Sequence, residues 1–187
     1  MKLIRPSILA TLACMAVMAV AEASAAIVSV NTTTPTVSVG DSFVVSVDIT
    51  GVSDLYGFQF DLGFDPTLLL FMGGTAEGAF LPNGGTTFFF GGADNGSGAI
   101  TSIFDTLIGP DPGVSGGGIL ATFDFTAIGA GVSALTLANV LLINSGFTNI
   151  PFTTNVGSIT SVPEPATLLL LGLGLAGVAS MRRRKAA

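Results

Sequence analysis

The side chains that could do chemistry between residues 27 and 162 are almost all carboxylates. Ten of the twelve acidic residues lie there, whereas every basic residue lies near one of the two ends, and the chain has no histidine. The ten acids are Asp41, Asp48, Asp54, Asp61, Asp65, Glu77, Asp94, Asp105, Asp111 and Asp124. The basic residues are Lys2, Arg5, Arg182, Arg183, Arg184 and Lys185. Nucleophilic catalysis needs a base beside the nucleophile and phosphoryl transfer needs a cationic clamp, so this inventory excludes both.

A pair of carboxylates is the catalytic arrangement that this inventory still allows, as in glycoside hydrolysis. Asp61 and Asp65 share one face of a strand pattern, but four residues of extended chain separate them by about 13 Å. Glycoside hydrolysis requires carboxyl groups roughly 5–9.5 Å apart. Nothing in the sequence marks another pair, and we predict that the protein is not an enzyme.

Calcium binding is the alternative chemistry, because hard cations prefer several oxygen ligands. The loop at residues 94–98 is the best candidate, with two further carboxylates near it in sequence. Its spacing does not match an EF-hand, and a plain hairpin turn explains the same residues. The calcium hypothesis names Asp94, Asn95, Asp105 and Asp111 as ligands.

The elements that position these side chains are predicted to be short β-strands. Apolar and polar residues alternate along 43–49 and 56–64, which places one face of each segment in a core. Gln59 and Asp61 lie on the opposite face, and we predict that this face binds a partner. Further strands are predicted at 68–71, 86–90, 99–105, 119–126, 133–143 and 155–161, separated by turns rich in Gly, Pro, Asn and Asp. The pattern predicts one all-β domain over residues 27–161, an antiparallel β-sandwich.

Aromatic residues offer another kind of binding site, because an exposed ring can stack on a sugar. Alternation places Tyr56 and most of the phenylalanines on the core face, and the chain has no tryptophan. Core packing is therefore the simpler interpretation of these rings. Residues 88–90 are three consecutive phenylalanines, and strand geometry leaves Phe89 either facing solvent or meeting a second layer.

The first 26 residues have the composition of a secretory signal peptide. Two basic residues precede an apolar stretch at 8–20, and small residues follow it. Signal peptidase is predicted to cut after Ala23-Ser24-Ala25, or after Ser24-Ala25-Ala26 as an adjacent alternative. The only cysteine, Cys14, lies inside this segment, so the mature chain is predicted to have no disulfide and no thiol.

The last 26 residues, 162–187, have the order of a short polar motif, a membrane span and a basic stop. Pro163, Glu164 and Pro165 precede an uncharged run at 166–181. As a helix this run reaches about 24 Å, slightly less than the ~30 Å hydrocarbon core, and flanking residues make up the difference. The basic cluster at 182–185 stays cytoplasmic. On composition alone, this segment is a C-terminal membrane anchor.

The same segment resembles the PEP-CTERM sorting signal of Gram-negative bacteria over residues 162–185. The resemblance implies that Pro163, Glu164 and Pro165 form the motif recognised by an exosortase, a membrane cysteine peptidase-like enzyme. It also implies that the chain crosses the membrane transiently through 166–181 and that the tail is removed. The protein would then pass to the cell surface, the outer envelope or an extracellular matrix.

A second resemblance covers the body of the chain, from about residue 28 to 161. The segments VGDSF at 39–43, LYGFQFDLGFDPTLL at 55–69 and GILATFDFTA at 118–127 are similar to cohesin domains. This resemblance implies a nine-stranded jelly roll that binds a dockerin and is structurally related to a group of carbohydrate-binding modules.

These features together predict a secreted, non-enzymatic surface or matrix protein with a cohesin-like interaction or adhesion domain. A polysaccharide-binding module associated with exopolysaccharide is the alternative. An acidic surface without cations repels nucleic acid, so a nucleic-acid partner is excluded.

Overall fold

The computed structural model describes residues 25–164; all of the predicted signal peptide except Ala25 and Ala26, and the predicted membrane span, lie outside them. The described chain forms ten strands and one 3₁₀ turn, Leu81–Gly84. The strands are β1 Ala26–Thr32, β2 Thr36–Ser38, β3 Ser42–Gly63, β4 Leu69–Glu77, β5 Thr87–Asp94, β6 Ala99–Leu107, β7 Val114–Ala127, β8 Gly131–Asn144, β9 Phe152–Asn155 and β10 Gly157–Val162. Among these residues, no helix is long and apolar enough to cross a membrane.

The long strand β3 joins the two layers of the fold. Its first half pairs with β1 and β7, and its second half pairs with β6 and β8, all in antiparallel register. Sheet one has the order β9-β1-β3-β7-β4. Sheet two has the order β5-β6-β3-β8, and the start of β8 extends it through β10 to β2. The predicted all-β sandwich with a jelly-roll path is confirmed.

β3 passes from sheet one into sheet two between Gly51 and Leu55. Gly51 (φ 68°) and Asp54 (φ 59°) both have left-handed backbone conformations, which glycine adopts freely and aspartate tolerates better than most residues. The Asp54 carboxylate accepts hydrogen bonds from the Gly113 N–H at 2.8 Å and the Ser145 hydroxyl at 2.7 Å. The Ser145 hydroxyl holds the pKa of Asp54 below its ordinary value. One carboxylate therefore links the bend of β3 to the β6–β7 and β8–β9 loops.

Apolar side chains from the two halves of β3 face each other across the core. The buried residues of β3 include Val45, Val47, Ile49, Phe58, Phe60 and Leu62. Phe125 of β7 lies among three other rings, at centroid distances of 6.1, 5.1 and 5.6 Å from Phe43, Phe64 and Phe71. Such offset and edge contacts stabilise a core beyond the burial of area. Core packing of these phenylalanines, as predicted from alternation, is confirmed.

The structure differs from the predicted strands in number and in length. β1, β2 and β9 fall outside the predicted set, β3 joins the strands predicted at 43–49 and 56–64, and β4, β5 and β7 are longer than predicted. β2 and β9 have three and four residues, too few for alternation to carry a signal. β1 begins at Ala26, which is buried and donates its backbone N–H to the Pro151 carbonyl at 3.1 Å. The fold therefore includes the last residue of the segment predicted as signal peptide.

We expect Asp54→Ala to lower the free energy of unfolding by about 2 kcal/mol, because it removes a charged acceptor of several hydrogen bonds at the bend. Asp54→Asn should lower it less, since asparagine tolerates the left-handed conformation and keeps one acceptor oxygen. Urea denaturation measures both effects. Asp124→Ala, at an exposed carboxylate on β7, is the control. An Asp54→Ala variant as stable as this control would contradict the role of Asp54 at the bend.

Candidate functional site

The outer face of sheet two carries an exposed aromatic strip, formed by Phe88 and Phe90 of β5 and Phe104 of β6. Phe88 is 56% exposed and Phe90 is 44% exposed. Their ring centroids lie 5.9 and 5.5 Å from that of Phe104. Phe89 points the other way and packs against the core, which resolves the two alternatives left by the sequence in favour of a second layer. Contiguous exposed apolar patches are typical of interaction sites.

A shallow depression of about 270 Å³ lies beside the strip, at the centre of sheet two. Its lining includes Gly57, Gln59, Phe104, Leu141 and Ile143. A Cβ added at Gly57 would lie 3.1 Å from the Asp105 carbonyl oxygen and 3.3 Å from Ile143 Cδ1. Glycine at this position therefore keeps the floor of the depression open, and the depression extends from Phe104 of the strip to Leu141 and Ile143 of β8.

The structure assigns different positions to the two residues predicted as a partner face. Gln59 is exposed and lies in register between Phe104 of β6 and Leu141 of β8. Asp61, on the same face, is half-buried, and its carboxylate accepts hydrogen bonds from the Ser102 N–H at 2.7 Å and from Asn139 Nδ2 at 2.5 Å. Gln59 thus borders the aromatic strip, while Asp61 is occupied by the neighbouring strands.

Asp61 holds an irregularity in each strand beside it. Ser102 and Asn139 have left-handed φ values of 61° and 50°, and the register of β3 with β6 and with β8 shifts near Asp61. Such β-bulges re-aim the side chains around them. The carboxylate therefore fixes the shape of the sheet that presents the aromatic strip. The alternation in the sequence predicts that Asp61 faces outward, but it contains no signal for the bulges.

The outer face of sheet one mixes exposed apolar side chains, Val44, Leu70 and Ile119, with polar side chains that bond to one another. Asn31 Nδ2 and the Ser46 hydroxyl both donate to Asp48, at 2.6 and 3.1 Å, and the hydroxyls of Ser42 and Thr126 lie 2.9 Å apart. These side chains satisfy one another. A partner that bound there would have to replace bonds that already exist, which favours the outer face of sheet two as the interaction surface.

Asp105 is the one buried carboxylate within residues 25–164. Its side chain is 1% exposed, and neither carboxylate oxygen has a hydrogen-bond partner. Burial, and after it the charge of Glu77, raises the pKa of Asp105 to about 7. Glu77 accepts a hydrogen bond from the Thr87 hydroxyl. With no basic residue in this part of the chain to neutralise it, Asp105 carries a proton at acidic pH.

The structure does not bring the four predicted calcium ligands together. Asp94 and Asn95 form the β5–β6 hairpin turn and accept the backbone N–H groups of Gly96 and Ser97 at 2.9 and 2.8 Å. Asp105 is buried five residues beyond the partner of Asp94 in the β6 ladder, or about 16 Å along the strand. No group of three or more metal-binding side chains occurs in the described part of the chain. The hairpin-turn interpretation is the one that the geometry supports.

Asp111 lies instead in a cleft of about 410 Å³ between the β6–β7 and β8–β9 loops. The Tyr56 hydroxyl donates to the Gly109 carbonyl at 2.6 Å and fixes one wall. Phe147 is 74% exposed and meets the Tyr56 ring edge-on at 5.5 Å. Its φ of 56° is unusual for a bulky residue. An exposed ring beside a carboxylate is the arrangement in this structure that best suits sugar stacking.

The predicted sorting motif projects from the folded domain. β10 ends at Val162, and Pro163 and Glu164 follow it with exposed side chains; Pro165 and the basic cluster lie outside the described residues. Gly40 in the β2–β3 turn lies close to Glu164, with 3.7 Å between an added Cβ and Glu164 Oε1. The motif therefore leaves the sandwich at the end opposite the bend of β3.

Comparison with protein families supports both resemblances. Residues 28–160 match the model of the cohesin domain, and residues 161–185 match the PEP-CTERM protein-sorting motif. The chain therefore belongs to the cohesin domain family. A sorting motif behind a cohesin domain describes an exported protein with a cohesin-like interaction domain. No curated protein matches the chain.

Solved structures with this fold are also cohesins. The cohesin CaCohA2, solved with a dockerin, is 24% identical with a TM-score of 0.61, and the match covers 73% of this chain and 99% of that one. The sixth cohesin of scaffoldin B from Acetivibrio cellulolyticus, in complex with a Cel5 dockerin, is 17% identical with a TM-score of 0.60 over 74% and 100%. A non-cellulosomal cohesin from the archaeon Archaeoglobus fulgidus is 16% identical with a TM-score of 0.58 over 74% and 92%. At these identities, the likeness establishes the fold.

We expect the stability of the protein to fall as pH rises from about 4 to about 7. The pKa of Asp105 is about 7 in the folded state against an ordinary value of 3.8, so over this window the folded state keeps a proton that the unfolded state has released. The free energy of unfolding should then fall by up to about 1.4 kcal/mol per pH unit. Urea denaturation at a series of pH values measures this slope.

Asp105→Asn should remove that slope, whereas the exposed control Asp124→Asn should retain it. Below pH 4 the sign reverses, because Asp54 and Asp65 have lowered pKa values from hydrogen bonds by Ser145 and Thr67. Their contribution to stability is lost as pH falls through those values. A wild-type protein equally stable at pH 4 and pH 7 would contradict the role assigned to Asp105.

Proposed function

We propose that this protein is a non-enzymatic interaction module, displayed outside the cell, which binds a protein partner on the outer face of sheet two. The observation that carries this proposal is the aromatic strip of Phe88, Phe90 and Phe104. Phe88 and Phe90 keep about half of their surface in water although the core beneath β5 is filled by Phe89. Exposed rings of this kind are typical anchors of protein interfaces.

The geometry of the strip favours a protein over a sugar. The rings of Phe88 and Phe90 are tilted by 40° and 32° from that of Phe104, so they do not form one flat platform. Gln59 and Thr106 are the outward-facing polar side chains that line the adjoining depression, and phenylalanine carries no polar group to orient a hydroxyl. An apolar strip with a polar neighbour resembles the core and rim of a protein interface.

The charge of the domain restricts the chemistry of the partner. Residues 25–164 contain acids but no lysine, arginine or histidine. The partner surface is therefore apolar at its centre and neutral or basic around it, because an acidic rim would be repelled. A dockerin-like protein is the partner class that the solved cohesin complexes support, and Gln59 is the polar contact we assign on this side.

We expect the double substitution Phe88→Ala/Phe90→Ala to lower the affinity for such a partner by about 30-fold or more, as truncation of central aromatic anchors typically does. A panel of immobilised dockerin modules, probed by biolayer interferometry, provides the measurement. Val44→Ala is the matched control, since Val44 is similarly exposed on the outer face of sheet one. Equal binding by the double variant would exclude this face.

Carbohydrate binding is the second candidate, and the cleft that contains Phe147 favours it. A glycan array separates the two functions. Saturable binding to one polysaccharide that Phe147→Ala abolishes and Phe88→Ala/Phe90→Ala retains would replace the protein-docking proposal. Binding to dockerins alone would leave the cleft without this role.

The two ends of the chain are processed during export in the function that we propose. Signal peptidase cuts after Ala25, because this leaves Ala26 in place at the start of β1, where it is buried. An exosortase then recognises Pro163, Glu164 and Pro165 and removes the span at 166–181 with the basic cluster. The match to the sorting motif supports this step, and the exposed position of Glu164 after β10 makes the motif accessible.

Intact-mass analysis of the protein from its producing cells should therefore give a chain that begins at Ala26 and ends before residue 166. Fractionation should place it at the cell surface, in the outer envelope or in the extracellular matrix. Glu164→Ala should increase the fraction that keeps the tail, whereas Glu77→Ala should leave processing unchanged. A full-length tail found in the inner membrane would contradict the sorting proposal.

A further inference from the structure

The edge strands β4 and β5 meet along one side of the sandwich. Gly91 of β5 approaches β4 so closely that an added Cβ would lie 2.8 Å from Thr75 Cβ. The Thr87 hydroxyl at the start of β5 donates to the carboxylate of Glu77 at the end of β4. β5 pairs only with β6 in sheet two, so these contacts restrain the strand that carries Phe88 and Phe90.

Asp105 lies directly behind this contact. It pairs in register with Phe89 of β5 and Phe58 of β3, so its side chain faces the core with theirs. Neither of these strands places an ionisable side chain beside it; β4 contributes Glu77, which raises its pKa. Two carboxylates therefore meet here without a basic residue, and Asp105 has no hydrogen-bond donor for either oxygen.

We propose that Asp105 and Glu77 share one proton and form a latch that holds β5 in place, so that docking on the aromatic strip is stronger in mildly acidic than in alkaline surroundings. The proposal rests on the docking face proposed above. The proton that Asp105 retains supplies the hydrogen bond that its ionised oxygens lack: in the closed state the carboxyl O–H of Asp105 donates to the carboxylate of Glu77, and the pair carries one negative charge. When the proton passes to water, the two carboxylates repel and the buried one must reach solvent.

Opening of the latch acts on the strip through Thr87. As Glu77 moves away from Asp105, Thr87 loses its acceptor, and the first residues of β5 lose their link to β4. Phe104 and Thr106 flank Asp105 on β6 and face the docking surface, so a displaced Asp105 also disturbs the strand that supports the strip. The pKa of Asp105 near 7 places this change around neutral pH.

Amide hydrogen exchange tests the latch without a partner. In the protein as its host produces it, protection of residues 87–94, corrected for the intrinsic pH dependence of exchange, should fall about tenfold between pH 6 and pH 8. Residues 26–32 in β1 serve as the internal reference. Asp105→Asn, whose amide still donates to Glu77, should keep the strand protected at both pH values, and Asp124→Asn should behave as wild type. An equal fall in Asp105→Asn, or none in wild type, would overturn the proposal.

The variant Glu77→Gln tests the shared proton even if Asp105→Asn folds poorly. Glu77→Gln removes the neighbouring charge, so the midpoint of the exchange transition should move to lower pH; an unchanged midpoint would overturn the shared proton. If millimolar calcium protects β5 at pH 8 in the wild type but not in Asp105→Asn, a metal rather than a proton holds the strand, and the proposal is overturned. If the exchange transition occurs as expected but no dockerin binds at either pH, the docking face is rejected and the latch is retained.

Discussion

The structure depends on one constraint: between residues 25 and 164 no side chain carries a positive charge, so each carboxylate that the fold withdraws from water must be satisfied by neutral donors or lose its charge. Asp54, Asp61 and Asp65 take the first course and accept backbone N–H groups and the hydrogen atoms of neutral side chains. Asp105 instead loses its charge, because its raised pKa lets it keep a proton at acidic pH. Acidic residues therefore do in this domain what salt bridges do elsewhere, since they connect segments that are distant in sequence. Asp54 shows this best, because one carboxylate joins the bend of β3 to two loops.

Alternation along the chain predicted which side chains of β3 enter the core, because the two-residue period is a property of the strand itself. It did not predict that 22 residues form one strand that changes sheets, since the bend depends on left-handed residues at Gly51 and Asp54. The strip was missed for a related reason. Three consecutive phenylalanines must face both ways, and only the packing of Phe89 on the core decides which two rings are left outside.

The candidate site was predicted in part. The outward position of Gln59 follows from its neighbours in sequence, and the structure places it beside the strip. The role of Asp61 depends on bulges in two other strands, and the burial of Asp105 depends on the meeting of β4 and β5. Neither the bulges nor the meeting of β4 and β5 can be recognised from the charged residues near Asp61 and Asp105 in the sequence. The calcium hypothesis failed for the same reason. It assumed that residues close in sequence are close in space, but Asp94 and Asp111 lie at different parts of the fold.

The sorting motif and the proposed docking face lie at different places on the sandwich. The sorting motif leaves the domain after β10, beside the β2–β3 turn, whereas the aromatic strip lies on the outer face of sheet two, on the edge strand β5 and its neighbour β6. In the processing proposed above, an enzyme that binds the tail approaches the end of the domain where β10 stops, which does not carry the strip. Within residues 25–164 the surface carries carboxylates and no cationic side chain, and like charges of this kind repel between copies of the chain. The same charge opposes the docking of an acidic partner on the face proposed above.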